Sequence, residues 1–293
     1  MKSQSARFAI LRILAWVPDS AMLRIQYRIK MGFWPDFKHP KRFTEKLQLY
    51  KMRYRNPVMH QCVDKYEVRK YVENKGLGYI LNDLYGVYNR VEDIDFDALP
   101  NEFVMKTTTG SGGQNVIIVR DKSIENLNVL KQKLNQWISA NHIGALAGRE
   151  WAYKDCRPRI IVERFLSDES QIGDEDLSDY KFLCFDGKVK YVWVDKGRYS
   201  NHKRGFWDEN LQYRDVYYGY PLIEKDTILP ENIHEMIRIA ELLSDDFLHA
   251  RIDLYNVGGC IFFGEITFYC SSGYRKFEPD SFDSELGQYF TAY

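Results

Sequence analysis

The chain has 293 residues, with 41 Lys and Arg against 41 Asp and Glu, 45% hydrophobic residues and five cysteines. This length suits about two domains with sizeable cores, and the composition excludes collagen-like, coiled-coil and disordered chains. The cysteines form no C-x-x-C pair and the histidines no H-x-x-x-H spacing, which argues against a disulfide scaffold or a zinc site and fits a reducing compartment.

The zero net charge is the sum of two oppositely charged regions. Residues 1–58 contain 13 Lys and Arg against 3 Asp and Glu, a net charge of +10 that leaves −10 for the remainder. Apolar positions at helical spacing between Phe8 and Tyr27 predict a helical extension, which either packs on the body, lies on an anionic membrane surface or binds an anionic polymer. No nucleic-acid-binding motif accompanies these charges, so we expect no nucleic-acid partner.

The first 58 residues also indicate where in the cell the protein is expected. No apolar run approaches the roughly 18 residues that span a bilayer, and Arg12 interrupts the most apolar early stretch, residues 8–17. This stretch also lacks a cleavage site of small residues. We therefore expect a cytoplasmic protein, with peripheral contact at the inner face of the membrane as an open alternative.

The elements predicted in chain order mix helices with antiparallel hairpins. The first half contains a helix over 64–75, a hairpin of strands 103–106 and 116–119, a helix over 123–138 and a strand over 159–166. The second half contains strands 180–185 and 189–194, a loop over 196–220, a helix over 231–243, and strands 249–255 and 260–267. Asp186-Gly187 and Gly258-Gly259 join the two later hairpins, and the pattern favours an α+β fold.

The tip of the first hairpin has the composition of a phosphate-binding loop. Gly110, Gly112 and Gly113 let backbone N–H groups approach an anion, and Lys106 lies on the strand that enters the loop. A strand follows the loop and no Gly-Lys-Ser/Thr occurs, so it is not a Walker A loop. A plain turn remains the alternative for such a tip.

Two carboxylates on the last hairpin predict a cation site. Asp253 and Glu265 stand on adjacent strands across the Gly258-Gly259 turn, and strand alternation allows both side chains to share one face. Mg²⁺ is the natural cation for oxygen ligands near phosphates. The alternative is a structural ion pair with Arg251 or Arg275.

Together these motifs form one ordered pattern: Asp64-Lys65, Phe103-Val-Met-Lys106, the loop 107–113, Ile161-Val-Glu-Arg-Phe-Leu166, Asp179-Tyr-Lys181, Arg251-Ile-Asp253 and Gly264-Glu-Ile-Thr267. Over residues 60–275 the chain resembles the TupA-like ATP-grasp family, which is associated with bacterial surface polysaccharides. The resemblance implies an ATP-grasp fold in which two α+β lobes clasp ATP. It predicts a basic helical extension (1–58), a lead-in region (59–100), a small lobe with the glycine-rich flap (101–166) and a C-terminal lobe with the metal site (167–293).

The resemblance also implies roles for individual residues. It assigns ATP contacts to Lys65, Lys106, Thr109, Gly110, Ser111, Gly112, Gly113, Glu163, Arg164, Phe165, Leu166 and Lys181, with Asp168 or Glu169 at the ribose. Lys181 and Arg251 are the implied catalytic residues, and Asp253, Glu265 and Thr267 the implied Mg²⁺ ligands. Thr267 stands where the family often has Asn, which is a better ligand, and Ser271 and Ser272 are candidate donors to an anionic intermediate.

The loop Lys196–Trp207 interleaves cations with aromatic rings, a composition that suits an acidic saccharide. Arg198, Lys203 and Arg204 are its candidate anion contacts, and a solvated loop is the alternative. The expected activity is an ATP-dependent carboxylate–amine ligase that works through an acyl-phosphate on a surface polysaccharide, its precursor or a lipid-linked saccharide.

Three other functions stay open: a glycosyltransferase, a kinase-like phosphotransferase and a non-enzymatic nucleotide-binding scaffold. A glycosyltransferase needs a D-x-D motif, and Asp93-Ile-Asp95 and Asp174-Glu-Asp176 have that spelling within acidic turn segments.

Overall fold

A computed structural model describes residues 14–110, 115–140, 148–154, 156–167, 177–198 and 200–293. The helices are α1 (Asp19–Met31), α2 (Phe43–Arg53), α3 (Val58–Val63), α4 (Glu67–Asn74), α5 (Leu127–Ala140), α6 (Ile233–Ser244) and α7 (Ser281–Tyr289). The strands are β1 (Leu84–Tyr88), β2 (Phe103–Thr107), β3 (Val116–Val119), β4 (Ile160–Glu163), β5 (Asp179–Phe185), β6 (Lys188–Lys196), β7 (Lys203–Asp208), β8 (Tyr213–Arg214), β9 (His249–Val257) and β10 (Cys260–Thr267). The predicted α+β class is confirmed.

The chain divides into two compact units. Unit 1 comprises residues 1–56, 148–151 and 167–293, and unit 2 comprises residues 57–147 and 152–166. Among the described residues, no helix is both long and apolar enough to cross a membrane.

Unit 2 is built on an antiparallel sheet with the strand order β1-β4-β2-β3. Strand β2 alternates strictly: Phe103 and Met105 are buried in the core with Ile160 and Val162 of β4, whereas Lys106 lies on the opposite, partly exposed face. Helix α5 covers the core face through Leu130 and Leu134, a packing that its predicted helical periodicity anticipated.

Unit 1 is built on a six-stranded antiparallel sheet with the order β10-β9-β5-β6-β7-β8. Two-residue turns join β5 to β6 and β9 to β10, and all four turn residues have positive φ: Asp186 (47°), Gly187 (71°), Gly258 (56°) and Gly259 (85°). This conformation matches the twist of a tight hairpin and confirms both predicted turns.

Helix α2 is a core element of unit 1, although the sequence carries no strong signal for it. The hydroxyl of Thr44 donates to Asp283 on α7 at 2.6 Å, and the Lys46 ammonium donates to the carbonyl of Phe290 at 2.8 Å. Both Lys46 and Lys51 are buried. Part of the positive charge of residues 1–58 therefore serves packing within unit 1.

Three predicted elements differ from the structure. The segment 196–220 is not a continuous loop, because residues 203–208 pair with β6 as β7 and alternate their side chains between the sheet faces. The strand predicted over 159–166 ends at Glu163. The helix predicted over 64–75 begins at Glu67, because the Asp64 carboxylate accepts the backbone N–H groups of Tyr66 and Glu67 and so starts the helix.

Candidate nucleotide and metal site

The face of the unit 2 sheet that points away from its core carries a paired cation and anion. Lys106 on β2 lies opposite Ile161, and Glu163 on β4 lies opposite Val104, so all four share this face. The Lys106 ammonium lies 2.5 Å from a Glu163 carboxylate oxygen, and Arg69 lies 3.5 Å from the other carboxylate oxygen. An apolar sheet face with one lysine and one carboxylate is suited to a planar base and an anion.

Lys65 reaches the start of the glycine-rich loop. Its ammonium donates to the carbonyl of Gly110 at 2.6 Å, and its backbone N–H donates to the carbonyl of Thr108 at 2.8 Å. Thr109 and Gly110 are partly exposed beside it. Ser111, Gly112 and Gly113 lie outside the described residues, so this part of the predicted flap is not characterised.

The segment after β4 leaves the sheet but stays anchored in unit 2. The carbonyl of Arg164 accepts from Asn82 at 2.8 Å, and the Arg164 guanidinium lies 3.3 Å from the Asp83 carboxylate. Phe165 stacks under Arg120, at 5.0 Å from its ring centre, and Leu166 is partly exposed. The predicted ribose contacts, Asp168 and Glu169, lie outside the described residues.

In unit 1 the register of three neighbouring strands lines up the predicted phosphate and metal residues. Lys181 on β5 lies opposite Asp253 on β9, which lies opposite Glu265 on β10. The Lys181 ammonium lies 2.7 Å from an Asp253 carboxylate oxygen. Directly opposed residues share a sheet face, so this row presents one cation and two carboxylates together.

A β-bulge at Gly264 creates this alignment. Counting back from the Gly258-Gly259 turn without a bulge would pair Asp253 with Gly264 and send Glu265 to the other face of the sheet. The register shifts between Phe263 and Glu265, which brings Glu265 opposite Asp253. A Cβ atom at Gly264 would lie 2.9 Å from the carbonyl oxygen of Asp253, so glycine is required there. Asp253 and Glu265 therefore share one sheet face because of the bulge, not because of simple alternation.

Arg251 joins the two carboxylates. Its Nε and Nη2 donate to the two Asp253 carboxylate oxygens at 2.6 Å each, and Nη2 also donates to Glu265 at 3.1 Å and to the Thr267 hydroxyl at 3.0 Å. The guanidinium lies 5.0 Å from the ring centre of Trp193. The ion pair considered as an alternative from sequence therefore exists, and it coexists with the carboxylate pair.

Asp179, which belongs to the Asp179-Tyr-Lys181 motif but was given no role from the sequence, is also a member of this cluster. It bonds to Lys181, and Arg198 lies 3.2 Å from its Oδ2, while its Oδ1 is buried with no hydrogen-bond partner. Burial raises the pKa of Asp179 although Lys181 opposes the shift. Its charge raises the pKa of Tyr255, which lies opposite on β9, well above the usual value. Its position two residues before Lys181 on one strand was the only sequence signal.

The donor set around Asp253 fits Mg²⁺. Carboxylate oxygens of Asp253 and Glu265 and the Thr267 hydroxyl lie on one face, and the buried Oδ1 of Asp179 has no protein donor. Mg²⁺ is commonly bound by one or two carboxylates, with water and substrate phosphates completing the shell. Within the described ranges no group of three or more His, Cys, Asp or Glu residues is arranged as a metal cluster, so a cation here would depend on a phosphate ligand.

The three cations predicted to bind substrate have different surroundings. Arg198 is partly exposed and contacts Asp179. Lys203 forms an exposed ion pair with Glu224 at 2.5 Å. Arg204 is buried, with Nε and Nη2 bonded to Asp195 at 2.6 and 2.8 Å, so this side chain is committed to the fold. Arg198 contacts the carboxylate cluster directly through Asp179, whereas Arg204 is joined to Asp195, which lies opposite Asp179 on β6.

Ser271 and Ser272 form an unusual turn after β10. Both have positive φ (47° and 54°), as does Gly273 (68°), and such a run of left-handed residues requires support. The Lys51 ammonium provides it through the carbonyl and hydroxyl of Ser272, at 2.7 and 2.8 Å, and burial lowers the pKa of Lys51 to about 8. Ser271 is exposed and its side chain is hydrogen-bonded to Tyr218, and the Ser272 hydroxyl is bonded to Lys51. Lys51 gave no sequence signal, because it lies about 220 residues before the turn it supports.

A comparison of the chain with models of protein families identifies its family. The family model described as TupA-like ATPgrasp matches residues 45–291. The chain belongs to the TupA-like ATP-grasp family. The match begins within α2, which agrees with the position of that helix in the core of unit 1. No curated protein matches the chain.

Solved structures of similar fold have low sequence identity. The D-alanine–D-alanine ligase of Bacillus anthracis is 20% identical over 71% of this chain and 57% of its own, with a TM-score of 0.45. The L-amino acid ligase of Bacillus licheniformis is 13% identical over 88% of this chain and 55% of its own (TM-score 0.45). The biotin carboxylase domain of the Hydrogenobacter thermophilus 2-oxoglutarate carboxylase is 14% identical over 72% and 40% (TM-score 0.43). The chain thus spans about half the length of these proteins.

Proposed function

We propose that this TupA-like ATP-grasp protein is an ATP-dependent carboxylate–amine ligase that uses Mg²⁺. The observation that carries the proposal is the row Lys181–Asp253–Glu265, which places a cation and two carboxylates on one sheet face with Arg251 and Thr267 beside them. Phosphoryl transfer asks a protein mainly for positioning and charge neutralisation. The lysine and the two carboxylates of this row would supply positioning and, with Mg²⁺, neutralisation of the phosphate charge.

In this proposal, Lys106 and Lys65 bind phosphate oxygens of ATP, and the sheet face around Val104 and Ile161 binds the base. Asp253 and Glu265 hold Mg²⁺, which when bound neutralises developing phosphate charge. Lys181 and Arg251 orient the transferred phosphoryl group, because both are fixed by bonds to Asp253.

The reaction proceeds in two balanced steps. A substrate carboxylate oxygen attacks the γ-phosphorus of ATP, the bond between that phosphorus and the β,γ-bridging oxygen breaks, and ADP leaves. The amine nitrogen then attacks the acyl carbon, inorganic phosphate leaves with the electron pair of the C–O bond, and the amine loses one proton. Neither step requires a covalent nucleophile on the protein, so the chain needs no serine or cysteine triad.

The carboxylate substrate we propose is an acidic saccharide of a surface polysaccharide, its precursor or its lipid-linked form. Arg198 supports this class of substrate, because its guanidinium is partly exposed and lies beside the carboxylate cluster through Asp179. Ser271, an exposed residue whose side chain is hydrogen-bonded to Tyr218, is the second polar residue we assign to substrate.

A turnover assay tests the proposal. The purified protein receives ATP, Mg²⁺ and cell extracts that contain saccharide precursors, and ADP, AMP and new amides are measured. We expect ADP and an amide, with Lys106→Ala and Asp253→Asn each lowering turnover at least about 100-fold, since each loses a phosphate or metal contact. Lys70→Ala and Asp215→Asn remove exposed, ion-paired charges of the same sign and should leave turnover unchanged.

The products also decide between the alternatives. ADP with a phosphorylated product and no amide would indicate a kinase-like transferase, and ATP binding without turnover a scaffold. The glycosyltransferase alternative has little support: Asp93 pairs with Arg90 at 2.5 Å, Asp95 accepts backbone N–H groups of its own turn, and Asp174–Asp176 lie outside the described residues.

A further inference from the structure

Unit 1 contains a basic cavity that is lined by none of the residues of the carboxylate cluster. It has a volume of about 610 Å³ and lies among α1, α2 and the loop between them. Its cationic lining residues are Arg24, Lys38 and Arg53, and its apolar walls include Phe37, Leu49 and Met52. Among the described residues, this lining contains no acidic side chain.

The three cations are available to a ligand. All three are exposed, and within the described part of the chain no carboxylate lies within ion-pair distance of any of them. The Arg24 guanidinium stacks on Phe37 at 4.8 Å from the ring centre, which fixes it at the cavity. Asp36, the nearby acid, already accepts the backbone N–H groups of Lys38 and His39 at 2.9 Å each.

The solvent face of α1 beside this cavity is apolar and basic. Ile25 and Ile29 are four residues apart and therefore adjacent on the helix surface, and they are 46% and 74% exposed. Arg24 and Arg28 precede them along the same face and are also exposed. Trp34 in the following loop is 61% exposed, and indole rings favour the boundary between water and lipid. The opposite face of α1 is buried through Leu23 and Tyr27.

We propose that this surface binds an anionic phospholipid membrane, with a lipid phosphate in the cavity and Ile25 and Ile29 inserted between headgroups. Three cations without acidic partners complement a phosphate, and the apolar walls complement the glycerol and upper acyl chain. Exposed isoleucines beside these cations favour a lipid surface over a free anion, because soluble phosphate gains nothing from apolar contacts. The partner is thus an anionic membrane surface.

Vesicle co-sedimentation tests this proposal with the full chain. Phosphatidylcholine vesicles are compared with vesicles that also contain phosphatidylglycerol, and we expect binding to the anionic vesicles alone, weakening as salt rises. The variant Arg24→Gln/Lys38→Gln/Arg53→Gln should bind on the order of 100-fold more weakly, at about 1 kcal/mol for each cation at an anionic surface. Ile25→Ser/Ile29→Ser should bind about tenfold more weakly.

A charge-matched control separates the site from net charge. Lys188→Gln/Lys190→Gln/Lys225→Gln also removes three cations, each paired with an acid in unit 1, and should bind as the wild type does. Equal losses in both triple variants, or equal binding to both vesicle types, would overturn the proposal. Binding of soluble pyrophosphate at the cavity without vesicle binding would also overturn it. Thermal melting confirms that each variant is folded.

Discussion

Replacing Arg251 by Gln should expose the repulsion that this side chain now offsets. Arg251 is almost fully buried and makes two 2.6 Å bonds to Asp253 and a 3.1 Å bond to Glu265. Removing one partner of a buried ion pair costs about 3–5 kcal/mol. Because Lys181 still contacts Asp253 at 2.7 Å, we expect the lower end of that range, about 3 kcal/mol, in the free energy of unfolding.

Mg²⁺ should restore much of this loss if Asp253 and Glu265 are metal ligands. A cation at about 100 times its dissociation constant stabilises a folded protein by about 2.7 kcal/mol. The assay is urea unfolding of Arg251→Gln in the presence of ATP, with and without Mg²⁺, because the cation site depends on a phosphate ligand. The double variant Arg251→Gln/Asp253→Asn, which has lost one ligand, is measured beside it. Equal stabilisation of the single and double variants by Mg²⁺, or a cost of less than about 1 kcal/mol for Arg251→Gln, would contradict these roles for Arg251 and Asp253.

Three further predictions concern other parts of unit 1. Gly264→Ala places a Cβ 2.9 Å from the Asp253 carbonyl oxygen and should disturb the bulge. Titration calorimetry should then show at least about tenfold weaker binding of ATP with Mg²⁺. Unchanged affinity would contradict the role of the bulge in aligning Glu265 with Asp253. Burial lowers the pKa of His249 to about 4, so stability is fully present above the unfolded pKa of 6.5 and about 3 kcal/mol of it is lost as the pH falls towards 4. Urea unfolding across that window should show a flatter pH dependence for His249→Phe, and parallel curves for the two proteins would count against it. Gly187→Ala should destabilise more than Gly258→Ala by about 1 kcal/mol, because both have positive φ but a Cβ at Gly187 would also lie 3.1 Å from Asp245 Cα; equal melting shifts would disprove the added contact.

Local sequence signals predicted the two hairpins that carry the carboxylate cluster. Asp186-Gly187 and Gly258-Gly259 specify tight turns, and the apolar alternation around them specifies strands, so Asp253 and Glu265 could be placed on neighbouring strands. The pairing of β5 with β9, which brings Lys181 opposite Asp253, is a long-range contact that these local signals do not contain. The position of Glu265 was predicted correctly for an incomplete reason. The bulge at Gly264 depends on backbone packing against Asp253, which a period-two pattern does not contain.

Other parts of the site depend on contacts between residues distant in the chain. Lys51 supports the Ser272 turn, and Thr44 binds Asp283, from a helix that the sequence does not mark. Arg204 has the composition of a substrate contact, yet pairing of β7 with β6 buries it against Asp195. Such pairings arise from tertiary structure, which composition does not contain. The sequence therefore assigned Arg204 to the substrate, whereas the structure bonds it to Asp195.

Titration calorimetry with ATP, with and without Mg²⁺, measures whether this protein binds ATP through a metal held by Asp253. We expect the wild-type protein to bind ATP in the presence of Mg²⁺. Either omission of Mg²⁺ or the substitution Asp253→Asn should weaken binding at least about tenfold, because both remove the same phosphate-bridging interaction. Lack of ATP binding, or ATP binding that is indifferent both to Mg²⁺ and to Asp253→Asn, would contradict this expectation.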